Sequence, residues 1–146
     1  MANLYPEINL PTIIAPQTVR RKKYSPAPSF DFATGDFKLD SHGRMILDDG
    51  QEAFEKWCMK NCMVERGTRL AYSDKIGIEF ETASKKSSPE AVKSALVRTL
   101  TEAILVHPAA EYVKNFNFEV EGDNLRVTFD VKGRDLPEEI SISVVY

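Results

Sequence analysis

Hydrophobic positions along this chain repeat with two different periods, and the switch between them divides it. From Val92 to Ile104, the residues Val92, Ala95, Leu96, Thr99, Leu100, Ala103 and Ile104 recur at the spacing of one helix face. Ser87-Ser88-Pro89-Glu90 opens this helix with a capping serine, a first-turn proline and an early glutamate. His107-Pro108 closes it, because proline disfavours helical geometry at the residue before it. A further turn or short helix is expected over 109–114. Beyond that the period becomes 2. Phe116, Phe118 and Val120 alternate with polar residues, then Leu125, Val127, Phe129 and Val131, then Ile140, Ile142, Val144 and Tyr146. Gly122-Asp123 and the loop through Gly133 and Pro137 separate three antiparallel strands with one buried face.

Upstream, Asp49-Gly50-Gln51-Glu52 fits a helix start, with Asp49 as cap and Glu52 reaching back from the third position. The helix should run to about Met63, burying Phe54, Trp57, Cys58 and Cys62, with Glu52 four residues before Lys56 on the solvated side. Before it, Phe37 and Leu39 alternate with Asp36 and Lys38, and Asp40-Ser41-His42-Gly43 turns the chain into Arg44-Met45-Ile46-Leu47, a short hairpin. The expected fold is α+β. Over residues 30–146, read as one domain, two main helices pack on a C-terminal three-stranded antiparallel sheet, with an N-terminal hairpin. Residues 1–29 read as a separate extended arm, because Pro6, Pro11, Pro16, Pro26 and Pro28 allow no helix through them. Leu4, Tyr5, Ile8, Leu10, Ile13 and Ile14 are too apolar for an inert linker, so the arm is expected along its own domain or a neighbouring subunit.

Charge refines this picture. The net charge of −3 divides into +3 over residues 1–30, from Arg20, Arg21, Lys22 and Lys23 against Glu7, and −6 over the remainder. An acidic body argues against a nucleic-acid binder, which usually shows a basic face. The arm's basic run suits an acidic protein surface instead. No apolar run approaches the roughly 18 residues that span a bilayer, and no signal-peptide pattern opens the chain, so synthesis in a cytoplasm and no membrane partner are expected.

Candidate chemistry is sparse. Cys58 and Cys62 share a helix face with no histidine near in sequence, which suits two buried thiols rather than a metal site. The acidic stretch from Asp40 to Gly50 lacks the ligand spacing of a calcium loop. Neither a metal nor a cofactor is expected. Between the helices, Glu65 and Arg66 stand where a helix should stop, with Gly67 available for the left-handed cap. Arg69 and Tyr72 either tie this loop to the body or present it to a partner. The last strand reaches the final residue and leaves a sheet edge that can accept a strand from another chain.

One succession of residues carries more. Tyr24, Phe30-Asp31-Phe32, Thr34-Gly35-Asp36-Phe37, Leu47-Asp48-Asp49-Gly50, Glu52-Ala53-Phe54 with Trp57, Glu65-Arg66-Gly67 with Arg69, Tyr72-Ser73 and Ile76-Gly77 follow one another. This succession resembles the small baseplate wedge proteins of contractile phage tails and phage-derived particles, the lysozyme-like or sheath-initiator group, from Tyr24 to Tyr146. The resemblance implies a non-enzymatic structural subunit of a baseplate, in a phage tail or tail-like particle. It would join the wedge complex around the tube and start sheath assembly by strand addition. Implied partners are other wedge subunits, the sheath protein, and tube or hub proteins. In related proteins a Glu-Pro-Arg motif at the helix-to-sheet junction meets the larger wedge subunits. Here those positions read His107-Pro108-Ala109, so only the proline matches. Candidate partner-binding residues are therefore Glu65, Arg66, Arg69, Tyr72, His107, Pro108, Ile142, Val144 and Tyr146. The alternatives are a generic adaptor module and a peptidoglycan hydrolase. The hydrolase would need two carboxylates facing one scissile bond.

Overall fold

The computed structural model describes residues 24–146, so the apolar and basic parts of the arm lie outside the described residues. In chain order the elements are β1 (Ala27–Pro28), β2 (Phe30–Asp31), β3 (Asp36–Phe37), β4 (Leu47–Asp48), α1 (Gly50–Met63), α2 (Phe80–Ser84), α3 (Pro89–Leu105), β5 (Ala110–Glu121), β6 (Asn124–Gly133) and β7 (Ile140–Val145). The fold is α+β, as its periods predict.

The sheet runs β5-β6-β7, antiparallel throughout. Strict alternation sends Val127, Phe129 and Val131 of β6 and Ile140, Ile142 and Val144 of β7 to one face, all buried. Helix α3 covers that face with Leu96, Thr99, Leu100, Ala103 and Ile104, and α1 adds Phe54, Cys58 and Cys62. Removing each large side chain of this set from water contributes roughly 1.5–3 kcal/mol. The two cysteines are free thiols and behave as small apolar groups. Burial pushes Cys58 well above its usual range and Cys62 up to about 12. Ser88 caps α3 by accepting the Ala91 N–H at 3.2 Å.

Several expectations change. The stretch 109–114 is not helical, because β5 begins at Ala110. Val120 lies near the tip of the β5–β6 hairpin, beyond helix cover, and is exposed rather than buried. Trp57 is only half-buried, and the position it was expected to fill on the buried face of α1 goes to Asn61. Asp49 caps α1 by accepting the Gly50 N–H at 2.7 Å, without a return bond from Glu52 among the described residues.

Residues 27–48 form a small β-finger. The expected turn is present: Asp40 accepts the His42 and Arg44 N–H groups at 2.8 and 2.9 Å, and Leu39 bridges Met45. Residues 27–31 then join it from the arm side, β1 pairing β4 and β2 pairing β3. Lys56 fastens the finger to α1. It pairs with Asp48 and donates to Ser29 Oγ at 2.8 Å instead of pairing with Glu52. Burial alone would raise the Asp48 carboxyl, but bonding to Lys56 and Ser29 and the Lys56 and Lys38 charges hold it below the usual carboxylate range. A depressed carboxyl contributes stability above its unfolded pKa, and that stability disappears as pH falls through the lower folded value. The finger should therefore loosen from α1 in acid. Fluorescence of Trp57, the chain's only tryptophan, should shift below about pH 4. In Asp48→Asn that pH step should vanish, and its persistence would show that the ion pair does not hold the finger.

Candidate assembly interface

The outer edge of β7 follows from register. Leu125 and Tyr146 exchange N–H···O bonds at 2.9 and 3.0 Å, which makes them a hydrogen-bonded pair. Counting back by twos, Val127–Val144, Phe129–Ile142 and Val131–Ile140 are also hydrogen-bonded pairs. The intervening Ser141, Ser143 and Val145 therefore aim their main-chain N–H and C=O groups away from β6, and no strand pairs with them among the described residues. Their side chains are exposed on the outer face of the sheet. Ile142 and Val144, the residues singled out from the pattern, face the core. What this edge offers a partner is the backbone of their neighbours. Tyr146 is anchored within the chain: it stacks on Phe80 at 4.5 Å and donates to Cys62 O at 2.9 Å. Burial raises its pKa.

The opposite edge is less regular. In β5 the pairing register slips between Lys114 and Asn117, where Asn115 has φ +57°. A bulge of this kind twists a strand and blunts it as a template. The straight edge is β7.

The loop after α1 separates its candidate residues. Glu65 accepts the Phe80 and Glu81 N–H groups at 3.1 and 3.4 Å, satisfying the first turn of α2. Arg66 donates to Gly77 O at 3.1 Å and to Glu79 at 3.1 Å, and lies 3.6 Å from Glu102. Arg98 completes the network on Glu79 and Glu102. Glu65 and Arg66 thus close the loop onto the body. Arg69 and Tyr72 are exposed further along it, beside a fully exposed Leu70, with the Lys60 ammonium 5.4 Å from the Tyr72 ring centre. Leu70 carried no periodic signal because it stands alone in a polar turn.

His107 and Pro108 line a cavity of about 630 Å³ with Tyr24, Trp57, Ala109 and Arg134. His107 packs 4.6 Å from Trp57, 5.0 Å from Phe54 and 6.2 Å from Tyr24, measured between ring centres. It accepts the Ala109 N–H at 3.1 Å through Nδ1, and burial lowers its pKa. A second groove of about 410 Å³ adjoins across Ala27, Ala53 and Trp57 and is lined by Phe30, Phe32, Phe37 and Tyr72. Neither cavity wall carries a carboxylate. Sequence reading found His107-Pro108 but not the aromatic rings around it, which arrive from Tyr24, ahead of the finger, and from Phe54 and Trp57 of α1.

Against families of known proteins, residues 28–135 match the model described as contractile injection system sheath initiator; the match runs from β1 through β6 and stops short of β7. No curated protein matches the chain.

Proposed function

The chain belongs to the contractile injection system sheath initiator family, and we propose that it works there as a non-enzymatic baseplate subunit whose β7 edge receives a strand from the sheath protein. The family gives it a structural role in sheath assembly. The observation that carries the finer reading is the straight, unpaired row at Ser141, Ser143 and Val145. An extended segment added there would gain main-chain bonds in the manner of strand augmentation. The aromatic cavity at His107 and Pro108 is the surface for the larger wedge subunits, and the exposed loop at Arg69, Leu70 and Tyr72 can serve contacts toward tube or hub proteins. Walls without a carboxylate give two-carboxylate glycoside hydrolysis no site in either cavity. Over residues 31–146 there are 21 acidic against 15 basic residues, which favours protein partners over nucleic acid. No helix among the described residues is long and apolar enough to cross a membrane.

Ser143→Pro tests the edge. Proline at this position removes a donor that points away from β6 and breaks no bond of the existing ladder, so the domain should stay folded. Baseplates carrying the variant should fail to seed sheath in a reassembly assay followed by electron microscopy, while Ser143→Ala seeds normally. Normal sheath growth from a folded Ser143→Pro subunit would sink the β7 reading.

A further inference from the structure

The β-finger exposes the side that a two-faced sheet usually buries. Register pairs Pro28 with Leu47, Phe30 with Phe37 and Leu39 with Met45, so these six side chains share one face. The opposite face carries Ser29 and Asp48, which are buried against Lys56 of α1. The polar side of the finger therefore meets the body while Phe37, Leu39, Met45 and Leu47 stand 45%, 56%, 57% and 62% exposed. At one end this apolar strip runs into the groove beside Trp57 through Phe30, Phe32 and Phe37, which pack edge to face at 5.2 and 5.3 Å. An exposed apolar strip of this kind marks an interaction surface.

We propose that its cover is residues 4–14 of the same chain. This segment offers Leu4, Tyr5, Ile8, Leu10, Ile13 and Ile14, and its prolines suit an aromatic-lined groove that receives an extended peptide. Ile14 precedes Tyr24 by ten residues, a reach of up to about 33–36 Å. Tyr24 itself lies three residues before β1, against the cavity that adjoins the groove. Charge favours the same placement. Arg20, Arg21, Lys22 and Lys23 lie in the tether, and in the finger Asp31, Asp36 and Asp40, with Asp48 already paired with Lys56, outnumber Lys38 and Arg44. Attachment in one chain also makes the contact intramolecular, which favours this segment over any free competitor.

Methionine methyl resonances of the full chain provide the test. Met45 on the finger and Met63 at the end of α1 are alike in exposure, 57% and 56%, so a soluble gadolinium chelate should relax both methyls alike if nothing lies over the finger. In the natural chain Met45 should be shielded from the chelate while Met63 is not. In a full-length variant carrying Ile8→Ser, Leu10→Ser, Ile13→Ser and Ile14→Ser, that shielding should be lost. Equal relaxation of the two methyls in the natural chain would overturn the proposal and leave the strip to another protein. Shielding that disappears on dilution would assign the cover to a second copy, and shielding that survives in the variant would assign it to other residues. Either result overturns it.

Discussion

Asn61→Leu is expected to destabilise the protein by about 3 kcal/mol, although it exchanges a polar core residue for an apolar one of similar size. Asn61 is fully buried and satisfies two main-chain groups from different parts of the chain. Its side-chain amide donates to Ala103 O at 2.5 Å, and its carbonyl accepts the Gly77 N–H at 2.6 Å. The first of these replaces a helix bond. Near the end of α3 the His107 N–H turns to Ile104 O at 3.0 Å, leaving the Ala103 carbonyl to Asn61. Leucine would strand both groups, each costing about 1–3 kcal/mol when buried without a partner, and its own transfer from water returns only part of that. Urea unfolding should show a lower midpoint with an unchanged slope. Asn61→Asp refines the test, since it keeps an acceptor for Gly77 and sets a second acceptor against Ala103 O. A leucine variant with an unchanged midpoint would mean that these groups find other partners.

Asn61 also shows where pattern reading stops. The α1 face was legible as Phe54, Cys58 and Cys62, but a polar residue in that stripe counts against burial, and the half-buried Trp57 was taken in its place. Helix α3 was legible to within two residues because cap, stripe and proline stop agree. In β5 the pairing slips by one residue between Lys114 and Asn117. Val113 and Phe116, an odd and an even position, consequently both pack against the core, and no single alternation describes the strand. Strands β1 to β4 are two residues each; alternation at Phe37 and Leu39 announced the hairpin that bridges Leu39 to Met45, but β1 and β2 are too short to carry a period and their pairing onto it is set by tertiary contact. For the edge, alternation at 140–145 separated Ile142 and Val144 from Ser141 and Ser143. Which set turns its backbone outward depended on the Leu125–Tyr146 register, information held by two strands together.

Gly77→Ala should cost about 3–5 kcal/mol, from backbone strain, a steric clash and the bonds that the clash breaks. Gly77 has φ +95°, where side chains are disfavoured, and an added Cβ would meet Val64 O at 2.6 Å and Arg66 N at 3.1 Å. Both neighbours are main-chain atoms of the segment leaving α1, so no side-chain rotation relieves the contact. Relief requires parting the parallel bridge between Glu65 and Ile78, which breaks the Ile78 N–H bond to Val64 O at 2.9 Å and the Arg66 N–H bond to Ile78 O at 2.8 Å. Each such bond contributes about 0.5–1.5 kcal/mol net. The conformational part can be measured separately. Gly35 has φ +74° with open space around its Cβ position, so Gly35→Ala carries the strain alone, roughly 1–2 kcal/mol. The damage from Gly77→Ala should also be local at first, with faster hydrogen exchange at Arg66 and Ile78 before the sheet opens. If the two alanine variants lost equal stability, the 64–66 segment would be yielding without loss, and Arg66 and Glu65 would not be holding the loop against the body.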